Sequence, residues 1–235
     1  MLPFSRDEFM AVFNLYNGHV WPAQVVAYLL GCAVVAALWR PSRPASRFVA
    51  AALGAMWLWT GVAYHALHFA AINRAAWAFA ALFVAQGMAL LWAGTVRVGL
   101  SSSRRDGAAA WVGALLMAYA IAIYPLIGLS AGHSLTELPM FGITPCPLTL
   151  FTLGVLLWVE RVPRWLLAVP IIWSLIGGSA AFLLRVPQDW PLLFGGIAVA
   201  ALVVGGHRRA AAAVATGANA TDRAAGGASR PAAVR

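Results

Sequence analysis

Charged side chains are scarce in this chain, and lysine is missing altogether. Asp, Glu, Lys and Arg make up 10% of the 235 residues, whereas soluble globular proteins carry about 25%. Hydrophobic residues make up 62%, and the mean hydropathy is +0.80. This composition argues against a soluble enzyme and a disordered protein. It also argues against a nucleic-acid partner, although the formal net charge is +9. It is typical of an integral membrane protein whose main partner is the lipid bilayer.

The absence of lysine and the low number of cysteines each exclude a specific class of protein. The absence of lysine excludes a retinal protein, because retinal is bound as a Schiff base on a lysine side chain. Cys32 and Cys146 are the two cysteines of the sequence, which is too few for a disulfide framework. We also expect no bond between them, because Cys32 falls near the middle of an apolar segment and Cys146 at the edge of another.

Apolar segments separated by short polar loops predict an all-α bundle of seven transmembrane helices. The predicted spans cover about residues 20–39, 48–69, 75–96, 108–129, 146–159, 164–184 and 190–206. The fifth is short, and the seventh is rich in glycine and alanine. A helix needs roughly 20 apolar residues to cross the hydrocarbon core of a bilayer.

Arginine is distributed unevenly between alternate loops. One set of loops holds ten arginines: Arg40, Arg43, Arg47, Arg97, Arg104, Arg105, Arg161, Arg164, Arg208 and Arg209. The opposite set holds Arg6, Arg74 and Arg185. Positive charge near span ends stays in the cytoplasm. We therefore predict an N-terminus outside, a C-terminus inside and a location in the bacterial inner membrane.

The two ends of the chain differ from the membrane domain predicted over residues 20–206. Residues 1–19 carry Ser5 and Glu8 at capping-box spacing. Their apolar residues recur at helical intervals, which predicts an amphipathic helix on the outer membrane surface. Residues 207–235 have no apolar periodicity and are predicted to be a disordered cytoplasmic tail.

The second predicted span carries a polar stripe. Trp57, Gly61, Tyr64, His65 and His68 fall within about 100° of one another on a helix. Imidazoles facing lipid would be costly, so this face should point into the bundle. The histidines could bind a metal ion, hold the outer loops by hydrogen bonds, or transfer protons.

The loop before the fifth span places further donors on the same predicted side. Cys146 lies between two prolines, and thiolate and imidazole together suit Zn or Cu. The predicted metal ligands are His65, His68, His133 and Cys146, and the remaining residues predicted to line the same outward-facing pocket are His19, Trp57, Gly61, Tyr64, Glu137 and Asp189. The alternative is a structural turn with a small buried thiol.

Small residues in the sixth span predict close helix packing. They are spaced four apart, Ser174 with Gly178 and Gly177 with Ala181. Such faces pack within a bundle or between copies, so a homo-oligomer is one expectation.

Four blocks resemble an uncharacterised bacterial family of multi-spanning membrane proteins, known as a domain of unknown function. They are YNGHVWPAQVVAYLL (16–30), GVAYHALHFAAIN (61–73), GHSLTELPMFGITPCPLTLFTLG (132–154) and WSLIGGSAAFLLRVPQDW (173–190). The resemblance covers about residues 4–206. It implies several transmembrane helices and supplies no activity.

Three functions remain open from the sequence. The first is binding of a transition-metal ion in the outward-facing pocket, for handling or transport. The second is a membrane-embedded hydrolase at the outer leaflet, in which a metal activates water and Glu137 or Asp189 acts as base. The third is a non-catalytic accessory or oligomerising subunit.

Overall fold

The computed structural model describes residues 3–95, 107–159, 162–202 and 205, and every element of three or more residues there is helical. The predicted all-helical class is therefore confirmed. The chain divides into two units, Met1–Val199 and Ala200–Arg235. In the second unit, residues 200–202 and 205 are described, and they are helical. The predicted tail over 207–235 lies outside the described residues, as does the arginine-rich loop at 97–106.

Nine helices follow one another along the described residues. Helix α1 covers Arg6–His19, α2 Ala23–Trp39, α3 Arg43–Trp59, α4 Ala76–Thr95, α5 Ala108–Ala118, α6 Tyr124–Ser130, α7 Pro145–Leu157, α8 Ala168–Leu184 and α9 residues 190–202. The π-helical residues Thr60–Ala66 continue α3, and Tyr119–Ile123 join α5 to α6. Short 3₁₀ turns cover Phe69–Ala71, Leu135–Glu137, Arg164–Leu167 and Pro187–Asp189.

Several helical segments are long and apolar enough to cross a membrane. They are Arg43–Ala71, Ala76–Gly94, Ala108–Ser130 and Arg164–Leu184. Helices α1 and α2 together also qualify, but the pair is bent by 87° and counts as a fifth span only as one broken helix. This architecture is consistent with a multi-spanning membrane protein. The described residues thus support four or five spans, and both the count of seven and the orientation stay predictions.

Helix α7 explains why the fifth predicted span is short. Its 13 residues are about 20 Å long, against roughly 30 Å of hydrocarbon. All but one of them are buried, and α7 packs against α3, α5 and α8. It is a central helix enclosed by protein, and uniformly apolar residues are therefore expected on all its faces.

Glycine lets α3 and α4 approach closely. A Cβ atom on Gly87 would lie 2.8 Å from the Gly54 carbonyl oxygen, and one on Gly54 would lie 3.0 Å from the Gly87 carbonyl oxygen. Side chains at either position would push the two backbones apart. The crossing of these two helices therefore depends on small residues, as is common between membrane helices.

Helix α1 is packed against the protein by its apolar face. The predicted capping box is present, because Ser5 Oγ accepts from the Glu8 amide at 3.2 Å and Glu8 Oε2 accepts from the Ser5 amide at 2.8 Å. Phe13 and Tyr16 are fully or almost fully buried. The Asn17 amide also donates to two backbone carbonyls of the loop before α7, each at 2.8 Å. The apolar face of α1 therefore contacts the bundle core, and the location of α1 at the outer membrane surface stays a prediction.

Candidate functional site

Aromatic rings join α1 to the end of α3. Phe13 stacks on Tyr64 with 5.3 Å between ring centroids, and Tyr64 stacks on Phe69 at 5.7 Å. Phe4 meets Phe69 edge-on at 5.4 Å. The π-helical segment after Trp59 carries Tyr64, and a widened helical turn of this kind is frequent at functional sites. These contacts place a wall of rings between α1 and the end of α3.

Behind this wall lies a cavity of about 100 Å³, which we call the aromatic cavity. Its aromatic lining residues are Phe4, Phe9, Phe13, Tyr64, Phe69, Phe79 and Trp173. Gly177, Ala180 and Ala181 of α8 form another side, and their small size leaves the space open. Asn73, Cys146 and Asp189 add polar groups to the lining.

Asp189 is the buried acid of the aromatic cavity. It is 3% exposed. The Tyr124 hydroxyl donates a hydrogen bond to its Oδ1 atom, and the Cys146 thiol lies beside this carboxyl. Burial raises the pKa of Asp189 to about 7, while these two neighbours act in the opposite direction. The carboxyl can therefore gain or lose its proton near neutral pH.

The turn between α8 and α9 sets the position of Asp189. Helix α8 ends at Leu184, and the backbone of the C-cap residue Arg185 is left-handed with φ 54°. Pro187 then opens a 3₁₀ turn that ends at Asp189. The Tyr119 hydroxyl donates to the Gln188 carbonyl at 2.8 Å and anchors this turn to the π-helical segment between α5 and α6. The position of the Asp189 carboxyl is thus set by the end of α8 on one side and by the Tyr119–Gln188 hydrogen bond on the other.

The structure separates the four predicted metal ligands. His65 is fully buried among rings, with Phe83 at 4.6 Å and Trp173 at 5.0 Å between centroids. Neither of its ring nitrogens has a hydrogen-bond partner in the described part of the chain. His133 Nε2 accepts from the Arg6 guanidinium at 3.4 Å, and Cys146 lies beside Asp189. Among the described residues, no three His, Cys, Asp or Glu side chains are grouped to hold a metal ion.

The fourth predicted ligand, His68, is paired with His19 instead. Nδ1 of His19 lies 3.2 Å from Nε2 of His68. His68 Nδ1 lies 2.7 Å from the Ala63 carbonyl oxygen, to which it must donate. His19 is exposed and also lines a second, open cavity of about 550 Å³ at the bend between α1 and α2.

Three other predicted pocket residues have structural contacts. The indole of Trp57 is fully buried and donates to Thr152 Oγ1 at 2.9 Å. Gly61 faces α4, where an added Cβ would lie 3.1 Å from the Ala80 carbonyl oxygen. Glu137 accepts from the Ser134 amide at 2.9 Å, which lowers the pKa of Glu137. The residues Ser174, Gly177, Gly178 and Ala181 are all buried.

Sequence reasoning missed most of the aromatic cavity. Tyr124 lies in the predicted apolar span 108–129 and Trp173 in the predicted span 164–184, and the local sequence marks neither residue as part of a site. The one available signal was the recurrence of Phe9 and Phe13, which fits a helix packed on protein as well as one resting on lipid. Nothing in the local sequence pairs Tyr124 with Asp189, which lies 65 residues further along the chain.

Comparison with known proteins agrees with the resemblance in the four sequence blocks. A model of a family of unknown function, DUF6064, matches residues 6–214. No curated protein and no solved structure matches the chain. The matched region includes α1, the central helix α7 and the turn that carries Asp189. The chain therefore belongs to DUF6064, a family of unknown function.

Proposed function

We propose that this protein binds a small organic cation with an ammonium head group in the aromatic cavity. Aromatic faces attract cations through the ring quadrupole, and the attraction is stronger when the site is desolvated. Asp189 supplies the opposite charge at the same cavity. The observation that carries the proposal is this buried carboxyl within a lining that includes seven aromatic rings.

The neighbours of Asp189 leave its negative charge available. Tyr124 and Cys146 are neutral neighbours, so they stabilise a carboxylate without cancelling its charge. Within the described residues, no arginine or histidine lines the cavity. An ionised Asp189 therefore needs a positive partner, because a buried and unpaired charge is costly. An ammonium head group meets that need.

The size of the cavity limits the ligand. A cavity of about 100 Å³ is smaller than the 150 Å³ cavity that takes up benzene in an engineered protein. It therefore suits a head group of a few heavy atoms, such as a trimethylammonium group or a short alkylamine. A longer apolar tail would have to leave through the opening of the cavity.

The functions expected from the sequence find less support at this cavity. Of the predicted metal ligands, Cys146 alone lines it, with Asp189 as the neighbouring acid. Glu137, one of the two predicted bases of a hydrolase, is engaged with Ser134. A non-catalytic accessory or oligomerising subunit would not require a cavity lined by a buried acid and aromatic rings. The buried acid and its aromatic surroundings favour binding of a charged small molecule.

A titration with matched probes tests the proposal. The full-length protein in detergent micelles is titrated calorimetrically at pH 8 with tetramethylammonium and with tert-butanol, an uncharged molecule of similar shape. We expect tetramethylammonium to bind and tert-butanol to bind at least tenfold more weakly. Asp189→Asn should lower the affinity for tetramethylammonium at least tenfold, because it removes the charge and keeps the size.

Asp7→Asn is the control, since Asp7 is an exposed acid of α1. It should bind tetramethylammonium like the wild type. Equal affinity for the two probes, or wild-type affinity in Asp189→Asn, would overturn the proposal.

A further inference from the structure

A second site, separate from the aromatic cavity, is formed by the two histidines that join α1 to the end of α3. His19 is the last residue of α1, and His68 follows the π-helical segment that continues α3. Their facing nitrogens, His19 Nδ1 and His68 Nε2, are 3.2 Å apart. Two elements far apart in the sequence thus bring two imidazole nitrogens within hydrogen-bond distance of each other.

The backbone determines which nitrogen of His68 is available. His68 Nδ1 lies 2.7 Å from the Ala63 carbonyl oxygen. A carbonyl oxygen can only accept, so Nδ1 carries the proton and the neutral ring has a lone pair on Nε2. Histidines that bind metal ions commonly donate their other N–H to a backbone carbonyl in this way, which fixes both the tautomer and the ring orientation.

The distance between the two rings also suits a shared ion. Two nitrogens bound to one tetrahedral zinc ion at 2.0–2.1 Å are about 3.3 Å apart. The observed 3.2 Å therefore differs by only about a tenth of an ångström from the spacing of two ligands. His19 is exposed and its ring can adopt either tautomer, so its Nδ1 can present a lone pair when an ion arrives.

We infer that His19 and His68 form a two-histidine site for a divalent transition-metal ion, with water completing the coordination. Imidazole suits Cu²⁺, Zn²⁺ and Ni²⁺, and Cu²⁺ should bind most tightly of these. The ion would connect α1 to the turn after the π-helical segment that continues α3. It would thereby fasten the helix whose phenylalanines line the aromatic cavity.

Metal titration of tag-free, full-length protein tests this inference. The protein is stripped with a chelator and titrated calorimetrically with Zn²⁺ and then, in a separate sample, with Cu²⁺. We expect His19→Ala and His68→Ala each to lower the affinity of the same site at least tenfold. The double variant should lose little more than either single variant, because one ion needs both ligands.

His133→Ala is the matched control, since His133 is also partly exposed but contacts Arg6. It should bind metal like the wild type. Hydrogen exchange of α1 gives a second readout: Zn²⁺ should slow exchange near residue 19 in the wild type and leave the His19→Ala variant unchanged. Wild-type affinity in His19→Ala, or an equal loss in His133→Ala, would overturn the inference. His19→Ala removes an exposed side chain, so a failure to fold is not expected to obscure the result.

Discussion

Tyr124 donates its phenolic hydrogen bond to Asp189, and both side chains are almost completely excluded from solvent. Tyr124 begins α6 after a π-helical segment, whereas Asp189 ends the turn between α8 and α9. The bond therefore connects the helical segment Ala108–Ser130 to the turn between α8 and α9, whose Asp189 lines the aromatic cavity. It also leaves the carboxyl charge uncancelled, since a phenol is a neutral donor.

The affinity for an ammonium probe should depend on pH through Asp189. The pKa of this carboxyl is raised to about 7, and the cation binds the ionised form. The affinity for tetramethylammonium should fall about tenfold for each pH unit below 7 and level off above it. Calorimetric titrations between pH 5 and pH 9 measure this. A flat profile would contradict the role of Asp189 as the counter-ion.

Stability should respond to the same carboxyl. Folding raises the pKa of Asp189 from 3.8 to about 7, so between those values the folded state holds more protons than the unfolded state. The contribution of Asp189 to the free energy of unfolding is therefore complete below pH 4 and declines as the pH rises through 7, by roughly 4 kcal/mol in all. Melting temperatures of wild type and Asp189→Asn, measured across this range without ligand, should converge at low pH and separate at high pH in favour of the variant.

Removing the phenol should shift the titration of Asp189. Tyr124→Phe deletes a hydrogen bond that stabilises the carboxylate, so the pKa of Asp189 should rise further. Hydrogen bonds to charged groups contribute about 1.5–3 kcal/mol, which corresponds to roughly one to two pH units. The midpoint of the pH profile for tetramethylammonium binding reports the shift. Tyr28→Phe is the control, because it removes a phenolic hydroxyl from a ring that packs on Phe141, and an equal shift in that variant would argue against a direct effect of Tyr124.

The α3–α4 crossing should be sensitive to a single methyl group. In Gly87→Ala the new Cβ would lie 2.8 Å from the Gly54 carbonyl oxygen, and such overpacking costs about 1–3 kcal/mol. Gly18→Ala is the comparison, because a Cβ on Gly18 meets no atom within 4 Å. That variant should be neutral or slightly stabilising, since alanine favours a helix over glycine. Thermal unfolding in detergent distinguishes the two, and equal melting temperatures would contradict the close crossing.

Topology is tested by reporter fusions. The excess of arginine in alternate loops predicts that a reporter fused after Arg209 is active only in the cytoplasm. A reporter inserted at 130–133 should be active only outside. The opposite result at either site would reverse the orientation, and with it the side from which Asp189 and the His19–His68 pair are reached.

Hydropathy by itself determined the helical class and the approximate positions of the apolar helices, because burying a backbone in lipid requires intrasegment hydrogen bonds. The spacing of Ser5 and Glu8 predicted the capping box, which is a local interaction. It did not distinguish α7, a short helix enclosed by protein, from a lipid-exposed span, since both are uniformly apolar.

The functional site was decided by tertiary structure. Periodicity placed His65 and His68 on one helical face, but the π-helical segment carries His65 into an aromatic core and leaves His68 beside His19. The contacts of Asp189 with Tyr124 and Cys146 join residues far apart in the chain. A local pattern records which face of a helix is apolar, whereas the choice between lipid, protein and ligand on that face depends on which other helices pack against it.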